Sequence, residues 1–326
     1  MALKSLLGDN DDAYITWIKW SKTSDKFRQK DADAVWRSFR QIGGIGGGTL
    51  FHIARQAGWE KAHYSNPFHE PWRWGEPDKH RKAALQKEIE EREEKARKAS
   101  QIARVYIARA EFRVGHPYLV KKGFPWLTSL VMEDENLLIV PMYRINQITG
   151  VQTISATGEK KFAPAGCRAS LSVHKIGRRE GTGIFWLVEG YATGLSVYEA
   201  LKRMYRADMD EVVVCFSAGN LRRIAGLVRN PRAVVIADND YWLCRKCSHR
   251  FAVPWGKVSE CAKCKADREF LSPPTGESVA RESRHEWWMP EQAGMDANDV
   301  MVSQGIDHLT TELRAVLSSL GRRGPR

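Results

Sequence analysis

The stretch VVIADNDYWLCRKCSHR (residues 234–250) places two kinds of metal chemistry side by side. Asp238 and Asp240 end an apolar run, and Cys244 and Cys247 follow them directly. Carboxylate oxygens suit hard cations, whereas thiolates suit soft ones. A second pair, Cys261 and Cys264, completes the pattern C-x2-C-x13-C-x2-C, a spacing close to that of a zinc ribbon. Four thiolates close a tetrahedral Zn²⁺ site and leave it no open position for catalysis, so the aspartates are free for a different task. His249 is a conceivable substitute ligand that four cysteines make unnecessary. The ribbon then either staples an insertion or offers Arg245, Lys246, His249, Arg250 and Trp255 to a single strand, for which cations and aromatic rings are suited.

Further acids stand where strands should end. WLVEG delivers Glu189, and on an extended segment Asp238 and Asp240 point to the same side while Asn239 points away. GMDANDV sets Asp296 and Asp299 three apart, on one face of a turn if that segment is helical. Such a group repels itself unless cations sit within it, and Mg²⁺ held by a few carboxylates plus substrate phosphate is the expected answer. Each acid also has a plainer reading: Asp and Asn form turns at strand ends, and Glu189 could cap the next helix.

The elements that would carry these acids follow from the pattern. GIFWLVE, a helical GLSVYEALKRMY, EVVVCFS, a helical NLRRIAGLV and AVVIADND alternate strand with helix. Near-continuous apolar strands of this kind belong to a parallel sheet covered on both faces. Ahead of it, NLLIVPMYRI, GVQTISA, KKFAPAG and LSVHKIG read as a small antiparallel unit rich in cations. KHRKAALQKEIEEREEKARKASQIARVYIARAEF mixes Glu with Lys and Arg at helical spacing, and only its second half has an apolar stripe able to dock. YITWIKWSKTSDKF and DADAVWRSF read as short helices around tryptophans, and NPFHEPWRWGEPD (66–78) as an ordered linker.

A net charge of +12 on 326 residues exceeds what solubility needs and points to a polyphosphate partner, nucleic acid first. The start, MALKSLLGDNDD, has no apolar core of a secretory signal, and no apolar run reaches membrane-spanning length, so a cytoplasmic protein without membrane contact is expected. Six cysteines, two of them (Cys167 and Cys215) isolated, fit a reducing compartment better than a disulfide framework. GGIGGGTLFH (43–52) lacks the Lys-Ser/Thr of a phosphate loop and follows a helix, so it is read as a flexible turn.

LVEGYATGLSVYEAL, VVVCFSAGNL, AVVIADND and AGMDANDVM, taken in succession, resemble the motifs of a Toprim domain, the metal-binding catalytic domain of bacterial and phage primases. HPYLVKKG with LLIVPMYRINQITGVQTISATGEKKFAPAG is similar to the basic subdomain that precedes Toprim in plasmid and phage primases. The N-terminal helices resemble the latter part of a module of primase-helicases, begun late and so truncated, serving either as a DNA or helicase contact or as a stabilising cap. The resemblance implies an α/β Toprim fold with a Rossmann-like parallel sheet (183–305), a zinc-ribbon insertion (241–270) and a basic β-rich subdomain (113–182). It also implies a charged helix or linker (78–112), an N-terminal helical module (1–77), and a C-terminal helix with a basic tail (306–326). An inserted ribbon departs from the usual replicative primases, whose zinc module is a separate N-terminal domain.

By the same resemblance Glu189, Asp238, Asp240 and one of Asp296 or Asp299 would hold Mg²⁺ or Mn²⁺, with Glu189 as an alternative general base. Arg144 and Lys161 first, then Lys121, Lys122 and Lys160, would hold nucleotide and template phosphates from the opposite side. The expected activity is RNA primer synthesis on single-stranded DNA from ribonucleoside triphosphates. With no phosphate loop in the chain, a helicase would be a separate partner or a part not in this sequence. A Toprim nuclease, in which the same acids activate water, is the alternative within the enzyme class. A non-catalytic zinc-ribbon binding module is the alternative outside it. A topoisomerase is disfavoured by the length of the chain.

Overall fold

The computed structural model describes residues 11–38, 49, 52–53, 56, 79–132, 134, 136–181, 183–228 and 233–322. The chain divides into two compact units, Met1–Pro77 and Asp78–Arg326. Residues 43–48 and 50–51 of the glycine-rich turn, and the linker at 66–78, fall outside the described residues. Among the described residues no helix is long and apolar enough to cross a membrane.

In the first unit, α1 (Asp11–Ser21) packs on α2 (Gln29–Ser38). Among its described residues Ala32 and Trp36 are buried, and the Trp17 ring lies 6.3 Å from that of Trp36. The Trp17 indole N–H donates to Ala32 O at 3.1 Å, and the Tyr14 hydroxyl donates to Asp33 at 2.6 Å. Tryptophan supplies this small pair with apolar area and a satisfied polar edge together.

The second unit opens with α3 (Lys79–Arg109), whose C-terminal half lies over an antiparallel sheet through Ala99 and Ala103, while Ser100 donates to Ile148 O at 2.6 Å. That sheet has strand order β1-β2-β3-β4-β5. Its strands are β1 (Glu111–Val114), β2 (Thr128–Met132), β3 (Leu137–Arg144), β4 (Gln147–Ile154) and β5 (Lys160–Ala163), with the short helix α4 (Pro117–Lys121) after β1. Asn146 and Ile145, both at positive φ, turn the β3–β4 hairpin.

The other sheet has strand order β13-β9-β7-β8-β6. β7 (Phe185–Val188), β8 (Glu211–Val214), β9 (Ala233–Ile236) and β13 (Glu286–Trp288) run parallel. β6 (His174–Gly177) closes one edge antiparallel to β8. LSVHKIG, read from sequence with the antiparallel unit, therefore belongs to this sheet. It meets the first sheet through a backbone bridge between Val173 and Tyr143.

Alternate residues of each buried strand feed opposite faces. Trp186, Val188, Val212, Val214, Val234 and Ile236 pack against Val197 and Leu201 of α5 (Tyr191–Arg203) and Leu309 and Leu313 of α9 (Ile306–Arg322). Leu187, Val213 and Val235 pack against Leu221 and Ala225 of α6 (Ala218–Leu227) and Val279 and Ala280 of α7 (Thr275–Ser283). Cover on both faces explains why these strands read as unbroken apolar runs. The two sheets meet where Tyr118, Leu119, Phe124, Leu138 and Ile154 pack on Ala192 and Leu195 at the start of α5.

The ribbon leaves after Asp240 and returns at α7. β10 (Trp242–Cys244) pairs antiparallel with β11 (Arg250–Phe251) and β12 (Leu271–Ser272). Its core is Trp242, Phe251, Val258, Ala266 and Leu271. Arg281 of α7 stands between the Trp255 ring (5.2 Å) and the Trp287 ring (5.5 Å), joining the ribbon to the parallel sheet.

Candidate functional site

The parallel strands β7 and β9 deliver Glu189 and Asp238 to the same edge of the sheet, each one or two residues past its strand. This is the carboxyl end, where open α/β sheets collect ligands. Glu189 is followed by Gly190, whose backbone starts α5 without a side-chain cap, so the glutamate is not the helix cap. Its carboxylate instead meets the Ala218 N–H at the start of α6. Burial raises the Glu189 carboxyl, as do the charges of Asp240 and Asp296; Lys160 and the Ala218 N–H oppose this.

Asp238 is the most strained member of the group. Burial first, then the charges of Asp296, Glu189 and Asp240, push its carboxyl up to about 8, with Lys160 opposing. Its Oδ1 is buried without a hydrogen-bond partner. A carboxylate with an orphaned oxygen among other carboxylates is short of positive charge, and a bound cation would supply it.

The remaining acids are tied to backbone. Asp240 Oδ2 accepts from Gly276 N at 2.9 Å. Asp296 is the N-cap of α8 (Ala297–Gln304): its Oδ1 accepts from Asp299 N at 2.9 Å, and its Oδ2 accepts from the Thr193 hydroxyl at 3.2 Å. Asp299 completes a capping box by accepting from Asp296 N at 3.1 Å, and pairs with Lys122 Nζ at 3.5 Å. Of this late pair, the charge of Asp296 reaches Glu189 and Asp238. Asp299 holds the helix end to α4 together with Asn298, whose Nδ2 donates to Lys122 O and Ser196 Oγ.

Among the described residues, only the four cysteines bring three or more ligand atoms within 4.8 Å of one another. No three of the carboxylates Glu189, Asp238, Asp240 and Asp296 come that close.

The cations separate by strand geometry. A β-carbon built on Gly190 would stand 3.8 Å from Lys160 Nζ, so Lys160 reaches the Glu189 turn. Lys161, one step along β5, points to the opposite face, where it pairs with Glu159 at 3.0 Å and is 69% exposed. Arg144 ends β3 at the hairpin, six residues from Leu138, which pairs through Ile154 with Lys160. At about 3.3 Å per residue that is roughly 20 Å along the sheet. The geometry therefore favours Lys160 over the two residues ranked first from sequence. Lys121 is exposed and Lys122 serves Asp299. Thr193 carried no signal in the sequence. Asn239 does point away from the acids, and its Nδ2 donates to Pro290 O and Glu291 O, fixing the loop that ends in Asp296.

The cysteines form a ready metal centre. Cys244 and Cys264 sulfurs lie 3.6 Å apart, as do those of Cys247 and Cys261. A tetrahedral ion with metal–sulfur bonds of ~2.3 Å needs sulfurs about 3.8 Å apart, so the set fits Zn²⁺. The Cys264 N–H points at Cys261 Sγ at 3.5 Å. That contact, with the N–H of Lys263, holds the Cys261 thiol down to about 6 against burial, readying a thiolate ligand.

The ribbon's suspected strand-binding residues make local contacts, although Arg245 and Lys246 stay exposed. Trp255 lies against Trp242 and Arg281, Lys246 Nζ sits 3.7 Å over the Phe270 ring, Arg245 donates to Glu269 O, and His249 stacks on Phe251. Arg250 is exposed. The contacts of Trp255 with Trp242 and Arg281 accord with stapling, while Arg245, Lys246 and Arg250 lie on the surface.

Two sites thus adjoin, a strand-end group of acids faced by Lys160 and a four-thiolate centre that fits zinc. Residues 1–54, which contain α1 and α2, match the family described as Primase C terminal 2 (PriCT-2), and this supports a primase-associated role for the chain in DNA replication.

Proposed function

We propose that the chain is a Toprim-type DNA primase that joins ribonucleotides into short primers on single-stranded DNA. One observation carries the reading: the neighbouring parallel strands β7 and β9 bring Glu189 and Asp238 to one edge of the sheet, with Asp240, Asp296 and the opposing cation Lys160 within electrostatic reach. The PriCT-2 match supports it from an independent part of the chain.

Glu189, Asp238, Asp240 and Asp296 would hold Mg²⁺ or Mn²⁺, which neutralises the charge of attacking and departing oxygens in a phosphoryl transfer. Alternatively, Glu189 would take the proton of the attacking 3′-hydroxyl instead of holding metal. Lys160 would hold the triphosphate against the acids, its ammonium donating to phosphate oxygens. Zn²⁺ held by Cys244, Cys247, Cys261 and Cys264 would keep the ribbon folded and so fix both flanks of Asp240. A separate helicase as partner accords with this reading, as does the net charge of +12 for binding the template.

The test is to incubate the protein with single-stranded DNA, four ribonucleotides, one of them labelled, and Mn²⁺, beside Glu189→Gln. Short labelled products lost in the variant support the reading. Shortened DNA would replace it with a nuclease, and neither product with a binding module.

A further inference from the structure

We propose that Phe162 is the stacking platform for the base of the nucleotide whose phosphates Lys160 holds, an assignment that rests on the primase reading for the identity of the ligand. Lys160 and Phe162 are two residues apart on β5, pairing with Ile154 and Gln152 of β4, so their side chains share one face. Along a strand that separation is about 6.7 Å, a span a ribose bridges between its 5′-phosphate and its base. Lys160 reaches Gly190 beside Glu189. Phe162 lies edge-on to Phe216, with ring centroids 6.1 Å apart at 86°.

Phe216 belongs to the turn over the catalytic edge. Its N–H donates to Glu189 O at 2.8 Å, and it adopts φ +68, a conformation unfavourable for a bulky residue. Phe216 is partly covered by the core. Phe162 is supported by it on one edge and remains 42% exposed. A large exposed ring braced by a second ring, two residues from the cation that faces the acids, suits a planar ligand bearing phosphates. Stacking uses the π-face that every base has, so the platform would accept all four ribonucleotides, as copying a template requires.

The experiment measures equilibrium binding of ATP and of inorganic tripolyphosphate, which has no base, to the full chain in Mg²⁺ by calorimetry. Phe162→Ala should weaken ATP about tenfold and leave tripolyphosphate unchanged, in line with the strength of base stacking. Phe162→Trp should restore ATP binding, and Phe162→Leu, which keeps apolar bulk without a ring, should not. Lys160→Ala should weaken both ligands. The inference is overturned if Phe162→Ala leaves ATP affinity intact, if it weakens both ligands equally, if Leu rescues as well as Trp, or if the wild-type chain binds no ATP. Phe162-dependent ATP binding without primer synthesis would instead retire the primase reading and keep the platform.

Discussion

Asp240 Oδ2 accepts a hydrogen bond from the backbone N–H of Gly276 at 2.9 Å, which clasps the residue before the ribbon to the helix after it. The insertion thus leaves and re-enters the fold at one point, beside the acids. Gly276 has no alternative there, because a β-carbon would overlap Asp238 O and stand 2.8 Å from Asp238 N, both rigid backbone atoms. Gly276→Ala should destabilise the second unit by about 1–3 kcal/mol, the usual cost of overpacking. Urea unfolding followed by tryptophan fluorescence checks this, and an unchanged midpoint would mean that α7 yields without cost.

Removing zinc should melt the ribbon and spare the rest. Its core is a handful of side chains around the four sulfurs, too little to hold a fold by itself. Cys261→Ser, or treatment with a strong chelator, should release the bound zinc and abolish the near-ultraviolet signal of the Trp242–Trp255 pair, whose rings lie 5.6 Å apart. Far-ultraviolet helix content should stay. A ribbon that kept its tryptophan signal without metal would refute the structural role of the thiolates.

Acid should loosen the seam between the sheets. His174 starts β6, its Nδ1 lies 3.0 Å from Pro141 O of β3, and its ring meets Tyr191 edge-on. Burial lowers its pKa from 6.5, opposed by the bond to Pro141, so the folded state binds fewer protons than the unfolded one. Stability is then fully present above about pH 6.5 and falls as the pH drops, by at most ~1.4 kcal/mol per unit from this residue. Tyr191, pushed up to about 12 by burial, stays uncharged throughout. Because the raised carboxyls of Asp238 and Glu189 act in the opposite sense over the same range, the comparison is with His174→Gln: between pH 7.5 and 5 the wild type should lose urea midpoint relative to the variant. Equal slopes in both proteins would place the proton uptake elsewhere.

The parallel sheet was legible because doubly covered strands read as continuous apolar runs, as EVVV and AVVI do. The cysteines were legible because zinc ribbons impose local spacing. What local pattern could not give was non-local. β6 joins the parallel sheet only through pairing with β8, 37 residues further on when counted from His174 to Glu211. Lys160 and Lys161 are indistinguishable in composition. Only the register of β5 on β4 decides which of them faces Gly190, and a one-residue slip would exchange them. Asp299 looked like a ligand, but its spacing from Asp296 is also that of a capping box, and the structure has that box.

The lysine pair can be separated by activity. Lys160→Ala should lower primer yield on the order of tenfold or more, the scale of a lost charge-assisted hydrogen bond to phosphate. Lys161→Ala should leave it within roughly twofold, since its partner Glu159 is as exposed as it is. Primer yield at limiting ribonucleotide compares them, and the reverse order would show that β5 presents its other face to the substrate.

The most direct measurement of the central claim is primer synthesis by the Glu189→Gln protein, which keeps the shape of the side chain and the fold of the β7–α5 turn. On single-stranded DNA with labelled ribonucleotides and Mn²⁺, the wild-type chain should yield short RNA and the variant at least a hundredfold less, the lower range for a lost general base. Undiminished products from the variant, or none from the wild type, would contradict the assignment of the acidic strand ends as the catalytic centre of a primase.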